Sequence, residues 1–331
     1  MSFEDALKSR MERAVSPPGA LGRLERLAAQ VARLQGRLDP VMRQAALIVL
    51  AADHGIAEAG VSGQPLGAAR HMLAEMARGQ SATTLLAREN GLDLRLVNAG
   101  LRGGAGDLPG IEDLSLGEGT ANCLRGPAMS RAQLDRALAQ GRALGASGRA
   151  DAVAFGEIAG GSSSSAALIV HRLTGVALQQ LIGRGAGLSD EGLMHKHDIL
   201  SRASDRVSGA LGPEAALMEF GGFEIAMMTG AIIGAAAERR IVLIDGFIPG
   251  AAALAAAQMV PATREAMVFC QLSREPGHRV LLEVMGAQPI LSLDIALGAG
   301  AGAALAWPIL RAAVAVLNAA DAPAQSPDRR A

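Results

Sequence analysis

Aromatic residues are nearly absent. The 331-residue chain has no tyrosine, one tryptophan and six phenylalanines. A core without aromatic bulk is filled by small aliphatic side chains, and half of the residues are hydrophobic while 41 are glycine. That balance favours close helix–sheet packing over an aromatic-rich β-sandwich. Charge of one sign is lacking too: 31 basic residues face 32 acidic ones, for a net charge of −1. No whole-chain field therefore draws the protein to nucleic acid or to an anionic membrane. Cysteine is scarce, and Cys123 and Cys270 lie far apart with no CxxC or Cys/His cluster. This argues against a disulfide framework and structural zinc, and fits a reducing cytoplasm. The first residues, Met1 to Ala6, lack the basic-then-apolar pattern of a secretory signal. Only Ile295 to Leu310 resembles a membrane span. It is shorter than the ~20 residues a bilayer requires, and it holds Gly298, Gly300, Gly302 and Pro308, so it reads as a buried loop and helix.

The apolar residues themselves are organised. Leu21, Leu24, Leu27, Val31 and Leu34 recur at helical spacing over 20–37, after the rigid breaker Pro17-Pro18-Gly19. Ala45 to Ala52 is a continuous apolar run, as expected of a strand buried on both faces. Similar runs are Leu94–Val97, Ala152–Phe155, Ile241–Ile244 and Met267–Cys270, with a weaker one at Val176–Ile182. Ala- and Leu-rich helical segments lie between them. The expected fold is α/β: a Rossmann-like, mostly parallel sheet with flanking helices. Several runs end in glycine beside a polar residue: Asp53-His54-Gly55, Gly156-Glu157, Gly183-Arg184-Gly185 and Asp245-Gly246-Phe247. Ligands of open parallel sheets bind outside the carboxyl ends of the strands, so these positions mark a candidate crevice. The segment Ala320–Ala331 is polar, proline-containing and expected to fray.

Three constellations carry chemistry. Gly156-Glu157-Ile158-Ala159-Gly160-Gly161 runs into Ser162–Ser165 and an apolar helix, a pattern that supplies backbone N–H donors for an anion. The ordinary alternative is a glycine turn with Ser162 or Ser163 as an N-cap. The segment has neither a Walker A lysine nor the GxGxxG spacing. Gly183-Arg184-Gly185, followed by Asp190, Glu191 and Lys196, forms a second candidate nest, or else a solvated loop with a surface lysine. Ser273-Arg274-Glu275-Pro276-Gly277-His278-Arg279 offers a phosphate donor in Ser273 and proton carriers in Glu275 and His278, or a plain turn and helix start. No HExxH or GxSxG occurs, so neither a metal site nor a serine-hydrolase triad is expected.

Read together, the segments resemble the nicotinate-nucleotide:dimethylbenzimidazole phosphoribosyltransferase family. The matching pieces run in family order. They include Pro17–Glu25, Ala51–Glu58, Gly60-Val61-Ser62, Gly119–Asn122, Gly126–Met129, Gly156-Glu157, Gly183–Gly185, Gly221–Ala226, Asp245–Ile248 and Ser273–Arg279. The resemblance implies a parallel sheet plus a small helical domain built from both chain ends, with parts at 1–38, 39–304 and 305–331. It also implies a cytoplasmic homodimer without a cofactor. Its substrates would be nicotinate mononucleotide and a benzimidazole-like base, joined to give α-ribazole phosphate for the cobalamin lower ligand. Gly160, Gly161, Ser162, Gly185, Lys196 and Ser273 would hold the phosphate and nucleotide, and Ser62, His71 and Ile158 the base.

The departures from the family pattern lie where ligands are expected. Ala299 stands at the position of the family's glutamate base, in Leu297-Gly298-Ala299-Gly300, with Ala301 beside it. Ser162-Ser163-Ser164 replaces Asn-Thr-Thr, Ala159-Gly160 replaces Gly-Ile, and Gln271 replaces a histidine. Glu157 is the candidate substitute base, and His71 a second. Two readings follow. One is a transferase, slow or altered in its acceptor. The other is an impaired paralogue that binds a nucleotide or cobamide precursor, or serves as a regulatory or partner subunit to an active homologue.

Overall fold

The computed structural model describes residues 1–106, 108–185 and 187–321. Two helices, α1 (Phe3–Ala14) and α2 (Arg23–Gln35), precede strand β1 (Ala45–Asp53). Next come α3 (Ala68–Ala77), α4 (Ala82–Glu89), β2 (Leu92–Gly100), β3 (Ile111–Asp113) and α5 (Arg131–Ala146). The central part holds β4 (Ala152–Gly160), α6 (Ser162–Thr174), α7 (Asp190–Asp205), α8 (Pro213–Phe220) and α9 (Phe223–Ala237). The last part holds β5 (Ile241–Ile244), α10 (Phe247–Met259), β6 (Met267–Phe269), α11 (Pro276–Val284) and α12 (Ala301–Asn318). The strands form one parallel sheet in the order β3-β2-β1-β4-β5-β6. Chain direction across the sheet reverses between β1 and β4, and the crevice of a doubly wound sheet opens at such a switch.

Period-two alternation sorts the strand side chains onto two cores. Ile48, Leu50, Val153, Phe155, Val242 and Ile244 face α5, α6, α9 and α10. Leu47, Val49, Ala154, Leu243 and Val268 face α3 and the first half of α12, where Trp307 is fully buried. Small residues permit the close packing that the composition implies. A Cβ on Gly145 would fall 1.9 Å from the Ala231 carbonyl oxygen, and one on Gly234 would fall 2.2 Å from that of Arg142, so α5 and α9 meet backbone to backbone. The second half of α12 packs against α1 and α2 through Leu7, Ala28, Ala32, Ala313 and Leu317. One uninterrupted helix thus carries the chain across position 304. Although α12 is long and apolar enough to cross a membrane, 56% of it is buried inside the fold.

Three expectations need correction. Val176–Ile182 is not a strand. It holds a short 3-10 turn at Leu178–Gln180 with Gln179 and Gln180 exposed, while Ile241–Ile244 pairs with β4 in the sheet. Leu21 precedes α2 and is 38% exposed, so the apolar stripe starts at Leu24. The edge strand β3 is absent from the apolar runs because Ile-Glu-Asp has little apolar signal. Of the segment expected to fray, Ala320 and Asp321 close a 3-10 turn, and residues 322–331 lie outside the described residues.

Candidate active site

A cleft of about 700 Å³ opens at the carboxyl ends of β4, β5 and β6. Of the residues expected at a site, Ser62, Glu157, Ile158, Gly161, Ser162, Gly185, Ser273 and Ala299 line it. Gly160, Lys196 and His71 do not line it, each for a different reason. Gly160 ends β4 one residue before the lining residue Gly161. Lys196 is 1% exposed and stands behind the wall, its Nζ donating to Ser163 Oγ at 3.0 Å and to the Gly183 carbonyl at 3.1 Å. His71 points into solvent, 76% exposed and 3.4 Å from Glu75, whereas its neighbour Met72 reaches the cleft. One residue on a helix is a rotation of ~100°, enough to turn a side chain from a ligand to water.

The floor and one wall are polar. Glu157, Ile158 and Ala159 lie in the last turns of the pleat before Gly160 ends β4, and Gly161 turns the chain with φ +96° into the first turn of α6. The N-cap is therefore Gly161, and the Ser162 hydroxyl donates back to the Ala159 carbonyl at 3.1 Å. With Ser162 and Ser163 in the cleft lining, the positive end of the α6 dipole faces the cleft, a setting that favours anions. Burial pushes the Glu157 carboxyl up to about 8; the charge of Glu224 adds to the rise, and hydrogen bonding from Ser162, the charge of His54 and the Ala159 backbone oppose it. Its Oε2 is buried without a partner. Burial likewise brings Lys196 down to about 8, against the attraction of Glu275. Arg184 is engaged by Asp190 and by the Leu188 carbonyl rather than held out as a free fork.

The opposite wall is built by close backbone approach. Gly156 has no room for a side chain, since a Cβ there would fall 2.2 Å from the Ala299 carbonyl carbon. The loop therefore lies directly on β4, and a Cβ on Gly298 would sit 3.9 Å from Glu157 Oε1. Ala299 adopts φ +60°, a left-handed conformation uncommon for a residue with a Cβ. Asp245 holds this wall: its carboxylate accepts from the Gly302 N–H at 2.9 Å and from Gln271 Nε2 at 2.8 Å, fastening the start of α12. Burial raises the Asp245 carboxyl to about 6 against these hydrogen bonds. Ser273 is set by His278, whose Nδ1 accepts from the Ser273 N–H at 3.1 Å and lies 2.9 Å from its hydroxyl. Burial lowers His278 to about 4, so the ring is neutral and supports Ser273 rather than carrying protons.

Spacing alone does not single out a second buried cluster under the floor. His54 Nε2 lies 2.6 Å from Glu224 Oε1 and its Nδ1 lies 2.8 Å from Ser165 Oγ. Histidine and glutamate are 1% and 0% exposed, so no substrate reaches this Ser–His–Glu chain, and it does not act as a nucleophilic triad. Its sequence signals are a strand-end Asp53-His54-Gly55 and a Gly221-Gly222-Phe223-Glu224 helix start.

Comparison with known proteins agrees with this architecture. Residues 1–326 match the sequence family described as Phosphoribosyltransferase. The chain is 43% identical over 323 residues to a protein of Dechloromonas aromatica (strain RCB) named nicotinate-nucleotide–dimethylbenzimidazole phosphoribosyltransferase, covering 96% of this chain and 92% of that one. A protein of the same name from Cupriavidus necator is 42% identical, with 96% and 93% covered. The crystal structure of CobT from Thermus thermophilus superposes with a TM-score of 0.91 at 37% identity, covering 95% of each chain.

Proposed function

We propose, from the premise that this chain belongs to the nicotinate-nucleotide:dimethylbenzimidazole phosphoribosyltransferase family, that it moves the phosphoribosyl group of nicotinate mononucleotide to a benzimidazole-type base, giving α-ribazole phosphate. The phosphate is held by the α6 N-terminus and Ser273, with Lys196 supplying positive charge through Ser163. The base lies between Ser62, Ile158 and the Leu297–Ala299 loop. Glu157 takes the proton from the base N–H, the other ring nitrogen attacks C1′, and nicotinate leaves with inversion from β to α. The observation that carries this reading is Glu157 itself. It is a carboxyl in the cleft wall whose proton affinity is matched to neutral pH, as an efficient general base requires. It stands beside Ala299, where we place the family's missing glutamate.

The test is formation of an α-ribotide by the purified protein from nicotinate mononucleotide and a panel of benzimidazoles, purines and phenols. Product at the no-enzyme level, with mononucleotide binding intact, overturns the reading. Ala299 favours one alternative, a subunit that binds nucleotide without turning it over and is rescued by co-expression with a complete homologue. Turnover by the isolated protein removes that alternative. We further propose a cytoplasmic homodimer, in keeping with two buried free cysteines and with exposed Leu293 and Leu297 beside the cleft. Sedimentation of the purified chain measures the association.

A further inference from the structure

Among the described residues, three side chains that border the cleft carry buried oxygens without a hydrogen-bond partner: Glu157 Oε2, Gln271 Oε1 and Glu275 Oε2. An orphaned buried acceptor is costly, and orphans gathered around one cleft mark groups that a ligand completes. The two carboxyls can relieve the deficit by holding a proton. An amide oxygen cannot, so Gln271 requires a donor from outside. Its orientation is fixed. Gln271 is 2% exposed, and its Nε2 donates to Asp245 Oδ1 at 2.8 Å. Asp245 also accepts from the Gly302 N–H at 2.9 Å. With a carboxyl value of about 6 it is ionised at neutral pH and has no proton to offer. Turning the amide over would set its oxygen against that carboxylate, so the nitrogen stays on Asp245 and the oxygen stays free. The start of α12 closes one side of the side chain, since a Cβ on Gly302 would fall 2.6 Å from Gln271 Cδ and 2.7 Å from its Cγ.

We propose that Gln271 selects the ribose of the mononucleotide, its amide oxygen accepting a hydrogen bond from the 2′- or 3′-hydroxyl. The proposal rests on the reading of the cleft as a nicotinate mononucleotide site. Its place in the fold decides for the ribose over the other parts of the substrates. Strand β6 lies two strands from β4, about 10 Å at the usual spacing, so Gln271 is remote from Ile158, where the base is placed. It precedes Ser273, where the phosphate is placed, by two residues, and it packs on Gly302, three residues after Ala299. A ribose that joins a phosphate at Ser273 to a C1′ near Glu157 and Ala299 passes this point, and its hydroxyls are the donors it carries there. The remaining groups do not fit. A phosphate dianion has acceptors only, and dimethylbenzimidazole has a single N–H, which is assigned to Glu157.

The experiment is calorimetric titration of nicotinate mononucleotide and its 2′-deoxy and 3′-deoxy analogues into the wild type and Gln271→Met, with transfer to dimethylbenzimidazole assayed alongside. The wild type should bind one of the deoxy analogues about tenfold more weakly than the parent, the usual cost of leaving one buried acceptor unmade. Methionine has a similar length and only a weakly accepting thioether. In Gln271→Met that gap should close to within about twofold, while the other analogue keeps its wild-type ratio. Equal affinity of the wild type for all three compounds, or a gap that Gln271→Met retains, overturns the proposal. Either result beside normal transfer fails the proposal alone. The expected binding pattern without transfer fails the reading of the activity and leaves Gln271 as a ribose contact, whereas no binding of the mononucleotide overturns both. Should Gln271→Met fail to fold, a crystal structure of the wild type with nicotinate mononucleotide decides. A ribose hydroxyl within ~3.0 Å of Gln271 Oε1 supports the proposal, and an oxygen left unpartnered or held by another group overturns it.

Discussion

The two walls of the cleft are made of opposite materials. On the β4 side, Glu157, Ser162 and Ser163 line the cavity, with Lys196 behind the serines and His54 and Glu224 beneath the floor. On the other side, the loop of Ile295, Ala296, Leu297, Gly298 and Ala299 brings no titratable side chain of its own, and Asp245 fastens the helix start that follows it. The difference teaches where chemistry resides in this molecule. The polar wall carries groups that can bind an anion and exchange a proton, whereas the apolar loop, exposed at Ala296, Leu297 and Gly298, offers only van der Waals surface. The two touch at Gly156 and Ala299, so a function absent from one wall is within reach of the other.

Substitutions sharpen that contrast, and the largest effect is expected on the polar wall. Glu157→Gln should lower kcat by about 10²–10⁴-fold, the usual contribution of a positioned general base, as read by steady-state transfer to dimethylbenzimidazole. Moving an acid to the apolar wall should work in the other direction. Ala299→Glu is expected to raise kcat on the order of 10²-fold if a missing base limits turnover. An unchanged rate in single-turnover measurements would show that the apolar wall has been remodelled for another acceptor. Lys196→Met should raise KM for the mononucleotide about tenfold, one charge-assisted contact's worth, with a smaller change in KM for the base.

The same residues give opposite signs in stability against pH. Glu157 has a raised folded value, so its contribution is present below about 4.5 and is lost as pH climbs to about 8. Lys196 has a lowered folded value, so its penalty is relieved as pH rises from about 8 towards 10.5. Urea unfolding at pH 5, 7 and 9 should therefore find Glu157→Gln free of the wild type's fall between pH 5 and 8, a difference on the order of a few kcal/mol at most. The smallest effect belongs to His71. His71→Ala should leave both KM values within about twofold and stability within ~0.5 kcal/mol, as for other exposed pairs.

Much of this is legible in the chain. The central strands announce themselves because a parallel strand covered on both faces has no reason to alternate, and Ala45–Asp53 is buried throughout. Glu157, Ser162 and Ser273 are legible as a strand end, a helix start and a post-strand turn. Motif order misplaces His71 because it says nothing of helical phase. It puts Lys196 in the right region but at the wrong depth, since sequence does not tell a lysine that touches a ligand from one that braces the serine doing so. The pairing of His54 with Glu224 spans 170 positions and joins two short polar signals that look like ordinary loop residues.

The sequence by itself determined the class of fold, the mostly parallel character of its sheet and the family, because each depends on local patterning or on motifs in chain order. Only the tertiary structure decided which polar groups share one environment. Packing sets His54 on Glu224 and beside Gly161 of the cleft floor, and packing of Gly156 on Ala299 brings the apolar loop to the Glu157 carboxyl. Proton affinity is a property of such surroundings: the cost of removing charge from water and the nearness of other charges depend on distances that the linear chain does not contain.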